Sequence, residues 1–180
     1  MADKKEYLVP MSHPDLTDAE RTSVLEVINS PYLSMGKKTV EFESSIAQFV
    51  GANHGIAVNS GTAGLHLCIR AAGIEPGDLV ITTPFSFVAS TNVILFEKAI
   101  PVFVDVDPTT GNMDVDQLEQ AANDLAKGGE PARKWLPRSG AEKHGKLKAI
   151  LAVDVFGQPA DYDRIRKVAD RYHLKLIEDS

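Results

Sequence analysis

The sequence lacks most of the signatures that would place it quickly. It has no GxGxxG following an apolar strand and no GxxxxGK[ST], so the dinucleotide and P-loop fingerprints are missing. It has one cysteine in 180 residues. That residue, Cys68, cannot pair within the chain, which fits a reducing compartment and makes the cytoplasm the expected location. The five histidines are scattered, and none has zinc-ligand spacing to another ligand, so no metal centre is expected. No window approaches the ~18 uninterrupted apolar residues of a membrane span, and MADKKEYLVP has no apolar signal core. Basic charge is also short: the formal net charge is −6, which argues against a nucleic-acid binder.

What is present is ordinary globular composition, with 43% hydrophobic and 24% charged residues. Helical and strand patterns alternate. DLTDAERTSVLEVINS has helical spacing, with Asp15 or Thr17 as N-cap. KTVEFESSIAQFVG reads as a second amphipathic helix stopped by Gly51. HGIAVN reads as a short strand and SGTAGLHLCIRAAGI as a helix. GDLVITT, IPVFVDVD, LKAILAVDVF and LKLIED read as further strands, separated by helices in FVASTNVILFEKA, DVDQLEQAANDLA and DYDRIRKVADRYH. The strands are apolar without clean alternation, as expected for a mostly parallel sheet covered by helices on both faces. Residues 127–146, rich in Gly, Pro and charge, read as an exposed surface insertion.

Four strand ends would then share the carboxyl edge of the sheet, where α/β proteins bind ligands. VNSGTAGL puts Ser60, Gly61 and Thr62 at the start of a helix. The free N–H groups and positive dipole end there suit a phosphate, while Ser60 alone equally suits a plain N-cap. TTPFSFVAS offers Phe85 and Phe87; Phe85 reads as a core residue and Phe87 as a flat face for a planar ligand. VDVFGQPAD adds polar groups, and IEDS adds Glu178 and Asp179. Asp105 and Asp107 do not make a complete calcium loop, because Gly111 is misplaced and a closing Glu is missing; they read as turn acids.

Taken together, VNSGTAGL, TTPFSFVAS, VFGQPADYDRI and LKLIEDS closely resemble the DegT/DnrJ/EryC1/StrS family of pyridoxal-phosphate-dependent sugar aminotransferases. The resemblance runs from about Pro31 to Ser180. It implies a fold type I (aspartate-aminotransferase-like) large domain, with residues 1–35 as an N-terminal arm and helix, 36–180 as a partial cofactor domain, and a C-terminal small domain not represented. It implies pyridoxal 5′-phosphate as cofactor. Ser60, Gly61, Thr62 and Ala63 would take the phosphate, Phe87 would stack on the ring, and Asp179 would hold the ring nitrogen protonated. Glu178 would point away by strand alternation.

It also implies a nucleotide-linked keto-sugar substrate, an amino-acid donor such as glutamate, a role in polysaccharide biosynthesis, and a homodimer with Ser34, Met35 and Gly36 near its site. The sequence departs from the family at Asp154, where His is usual. The family's Schiff-base lysine falls beyond the Glu178-Asp179 strand. The reading frame is therefore expected to continue, and these 180 residues alone are expected to hold no catalytic lysine and to be inactive. The other readings are a non-catalytic regulatory relative that binds pyridoxal phosphate or a nucleotide sugar, and a sugar dehydratase on the same scaffold.

Overall fold

The computed structural model describes residues 13–34, 36–138 and 144–180. The chain divides into two compact units, Met1–Ala57 and Val58–Ser180. The boundary expected at residue 35 therefore falls inside the first unit. The expected N-terminal arm through residue 12, Met35, and residues 139–143 of the expected insertion lie outside the described residues.

Among its described residues the first unit holds two helices, α1 (Asp18–Ile28) and α2 (Lys37–Val50). Of the two candidate caps, Thr17 is the one used. It forms a capping box in which its Oγ1 accepts from the Ala19 N–H while Glu20 Oε2 accepts from the Thr17 N–H. Gly51 closes α2 in the left-handed conformation, φ 70°, where a Cβ would be strained. The strand expected at HGIAVN does not form. No neighbouring strand presents a ladder to it among the described residues, and the Ala57 N–H donates to Glu43 Oε1 at 2.8 Å instead.

The second unit is an α/β layer structure. Its elements are α3 (Gly61–Ala71), β1 (Leu79–Thr82), α4 (Ala89–Phe96), β2 (Ile100–Phe103), α5 (Val115–Lys127), α6 (Gly129–Arg133), β3 (Leu147–Val153), α7 (Tyr162–Tyr172) and β4 (Lys175–Asp179). The four strands are all parallel in the order β2-β1-β3-β4. Alternation along the strands sends side chains to two separate cores. Leu79, Ile81, Val102, Ile150 and Ala152 pack with Leu118 of α5 and Ile165 of α7 on one face. Val80, Ala149, Leu151, Val153 and Ile177 pack with Leu65 and Ile69 of α3 and Val93 and Ile94 of α4 on the other. Both faces are covered, which is why the strands read as continuous apolar runs.

The expected surface insertion is partly core. Ala132 is buried, and Trp135 and Leu136 pack against the α5/α7 core. Trp135 Nε1 donates to Asp124 Oδ2 at 3.0 Å, and Lys134 Nζ lies 2.9 Å from the same oxygen. These donors, Trp135 first, hold the Asp124 carboxyl below its ordinary value. The apolar positions 132, 135 and 136 have i, i+3, i+4 spacing, a helical signal that the surrounding Gly, Pro and charge obscure.

Candidate cofactor cleft at the strand ends

Parallel strands place all their carboxyl ends on one edge. α3 returns to the amino end of β1 through a short loop, so its own N-terminus faces the opposite, carboxyl edge. The site candidates at residues 60–63, 85–87, 153–156 and 179 come from segments at this edge.

β4 ends at Asp179, whose carboxylate is fixed by α4. Ser90 of α4 is buried, and its Oγ donates to Asp179 Oδ2 at 2.6 Å. A carboxylate oxygen only accepts, so Ser90 is the donor in that bond; the Ser86 hydroxyl lies 2.7 Å from Ser90 Oγ and also reaches the Phe87 carbonyl at 3.1 Å. Ser90 thus aims one carboxylate oxygen of Asp179 and leaves the other without a partner among the described residues. The neighbouring Glu178 points the other way, as strand alternation requires, with Arg166 of α7 at 3.7 Å.

Asp179 lines a cleft of about 480 Å³ together with Phe85, Ser86, Phe87, Val153, Asp154, Val155, Phe156 and Ser180. That size suits a small cofactor. Phe87 is 78% exposed, a large apolar face left open beside the carboxylate. Phe85 is not the core residue the sequence suggests. It is 48% exposed, because the chain has already left the sheet after Thr82, and it meets Phe156 edge to face with centroids 6.1 Å apart. Among the described residues no lysine lines the cleft.

The loop beneath Phe156 is tightly held. Asn112 Nδ2 donates to the carbonyls of Gln158 and Pro159, and its Oδ1 accepts from the Val155 N–H at 3.1 Å. Asp154 Oδ1 accepts from the Ala160 N–H at 2.9 Å and the Tyr162 hydroxyl at 2.8 Å, and Oδ2 accepts from the Ser180 hydroxyl at 2.8 Å. Burial opposes ionisation of Asp154, but these donors outweigh it and hold the carboxyl below its ordinary value. Burial first, then the Asp154 carboxylate, push the Tyr162 hydroxyl up.

At α3, Ser60 is the N-cap, and its Oγ accepts from the Ala63 N–H at 3.1 Å. The plain capping role is therefore real, and it occupies the Ala63 N–H. The Gly61 and Thr62 N–H groups have no acceptor among the described residues. A Cβ at Gly61 would meet nothing within 4 Å, and its φ is not positive, so the fold itself does not require glycine there. Ser60→Ala is expected to lower stability by about 1 kcal/mol through loss of the cap, measured by urea unfolding.

Ser90, Ser86, Asn112 and Asp154 are the site residues that sequence reasoning did not assign. Ser90 carried a signal, a hydroxyl placed among the apolar positions of VASTNVIL. Asn112 carried none beyond its turn. Asp105 and Asp107 behave as turn acids: Asp107 Oδ1 accepts from the Thr109 and Thr110 N–H groups, and no cluster of metal-ligating side chains exists among the described residues. No described helix is long and apolar enough to cross a membrane.

Comparison with known proteins agrees with this architecture. GDP-perosamine synthase of Caulobacter vibrioides is 38% identical over 96% of this chain and 41% of its own length. A DegT DnrJ EryC1 StrS aminotransferase from Brucella abortus superposes with a TM-score of 0.78 at 34% identity, over 89% of this chain and 39% of that one. Spr1654 from Streptococcus pneumoniae, solved in a PLP form, superposes with a TM-score of 0.76 at 31% identity, over 97% of this chain and 39% of that one. The parallel sheet with its flanking helices is thus the fold type I arrangement of these aminotransferases. The chain spans about 40% of the length of the curated relatives it matches. The model of the DegT/DnrJ/EryC1/StrS aminotransferase family matches residues 14–180, and the chain belongs to that family.

Proposed function

We propose that the protein carrying this chain transfers an amino group from an amino-acid donor, glutamate in the simplest case, to a keto group on a nucleotide-linked sugar, using pyridoxal 5′-phosphate. The observation that carries this reading is Asp179: a carboxylate fixed by the buried Ser90, in the same cleft as the exposed face of Phe87. The sugar class rests on the family and on relatives such as GDP-perosamine synthase.

The residues that line the cleft suit the cofactor's ring, and the start of α3, which does not line it, suits the phosphate. Asp179 offers an unpartnered oxygen that would accept the N–H of a pyridinium and keep that proton in place. Phe87 offers a face for the ring. The free N–H groups of Gly61 and Thr62, at the positive end of α3, would take a phosphate. Bound there, pyridoxal phosphate supplies an electron sink that stabilises negative charge at the carbon bearing the transferred nitrogen. Ser90 keeps Asp179 from rotating away, and Phe85 and Phe156, packed edge to face, add apolar surface to one side of the cleft. On the resemblance we also place two such chains together as a homodimer.

The test uses the full-length protein loaded with pyridoxal phosphate, glutamate, and keto-hexoses linked to dTDP, UDP or GDP. Formation of 2-oxoglutarate dependent on one of these sugars is expected. Loaded protein that yields none with any of the three would overturn the reading.

A further inference from the structure

Asp154 is the residue that follows the end of β3. It is also the most heavily bonded carboxylate in the cleft. Three donors from three different places converge on it: the Ala160 N–H, which closes the loop after β3, the Tyr162 hydroxyl, at the start of α7, and the hydroxyl of Ser180, the residue after Asp179. Its own N–H donates to the Asp179 carbonyl at 2.9 Å, extending the β3–β4 ladder by one bond past Val153↔Asp179. Asp179 is therefore held from two sides. Ser90 fixes its carboxylate from α4, and Asp154 fixes its backbone and the residue that follows it from β3.

We propose that Asp154 is a positioning residue for Asp179, setting where the ring-nitrogen carboxylate stands by clamping the end of β4 to the β3–α7 turn. The proposal rests on the reading of Asp179 as the partner of the cofactor ring. Asp154 need not touch the ring. What it contributes is geometry, because a strand end with no clamp frays, and a displaced carboxylate makes a weaker charge-assisted bond. The side-chain requirement follows from the donors. Asparagine keeps one oxygen for the Ala160 N–H and Tyr162 hydroxyl, and its amide can donate to Ser180 Oγ, so the clamp survives. Alanine loses all three bonds.

The test is a double-mutant cycle in the full-length protein, reading the dissociation constant of pyridoxal 5′-phosphate by absorbance titration of the cofactor-free form. Asp154→Ala is expected to weaken binding about 10-fold, the loss of about one well-placed charge-assisted bond. Asp154→Asn should stay within about threefold of the parent. Asp154→Ala combined with Asp179→Asn should bind no more than about twofold weaker than Asp179→Asn alone, because a residue acting through Asp179 has nothing left to position.

Multiplication of the two single effects would show that Asp154 acts independently, and would overturn the proposal while leaving the cofactor reading intact. Loss of binding in Asp154→Asn equal to that in Asp154→Ala would also overturn it, since charge rather than position would then be at work. If Asp154→Ala does not fold, Ser180→Ala removes the clamp to β4 alone and carries the same cycle: a non-additive loss with Asp179→Asn supports the proposal, and a multiplicative one or none overturns it. A parent protein that fails to bind pyridoxal phosphate, or an Asp179→Asn variant that binds as well as the parent, would sink the cofactor reading and this inference with it.

Discussion

Asp179→Asn in the full-length protein is expected to lower the rate of transamination by roughly 10²–10⁴. The physical reason is charge. A carboxylate next to the ring nitrogen keeps a proton there, and the resulting positive ring is what stabilises a developing carbanion. An amide presents no negative charge, so the proton is lost. The structure makes the substitution a clean one. Asp179 is only partly buried, and its side-chain partner among the described residues is the Ser90 hydroxyl, from which an asparagine oxygen can still accept. Folding should therefore be little changed, and steady-state rates compared at equal cofactor loading isolate the chemical effect. Near-normal turnover would remove Asp179 from its assigned role.

Gly61→Val is expected to weaken binding of pyridoxal phosphate by roughly 10–100-fold, the loss of one or two charge-assisted bonds to a phosphate. Stability should be retained. Nothing lies within 4 Å of where a Cβ would sit at Gly61, the residue does not have positive φ, and glycine in a helix is itself a weak choice. The glycine is thus unexplained by the fold and explained by a ligand that must approach the backbone closely. Thermal unfolding and cofactor titration on the same variant check both halves. Equal losses in stability and affinity would mean that Gly61 serves the fold.

The layer plan was legible in the sequence because its signals were local and mutually consistent. Strands with apolar residues on both faces required cover on both faces, and the two cores divide the strand residues as period-two alternation dictates. Ser60 at the start of α3 and Gly51 at the end of α2 were readable as caps for the same reason.

What was not legible depended on partners far away in the chain. HGIAVN has a strand's composition, but a strand exists only beside another strand. Phe85 looks like a core residue in one dimension, yet it lies just past the point where β1 leaves the sheet. Trp135 looked exposed amid Gly, Pro and charge, and only the position of Asp124 on α5 shows where its N–H goes. Within the cleft, Phe87 and Asp179 could be named from their motifs. The parts that hold them could not, because Ser90 reaches across 89 residues of sequence to Asp179, and Asn112 reaches 46 residues to the Gln158 carbonyl.

The most direct measurement is a crystal structure of the full-length protein with pyridoxal 5′-phosphate bound. The ring is expected against Phe87, with its nitrogen within about 2.7–3.1 Å of the Asp179 carboxylate and its phosphate on the Gly61 and Thr62 N–H groups at the start of α3. A cofactor bound elsewhere, or one whose nitrogen points away from Asp179, would contradict the assignment of this cleft.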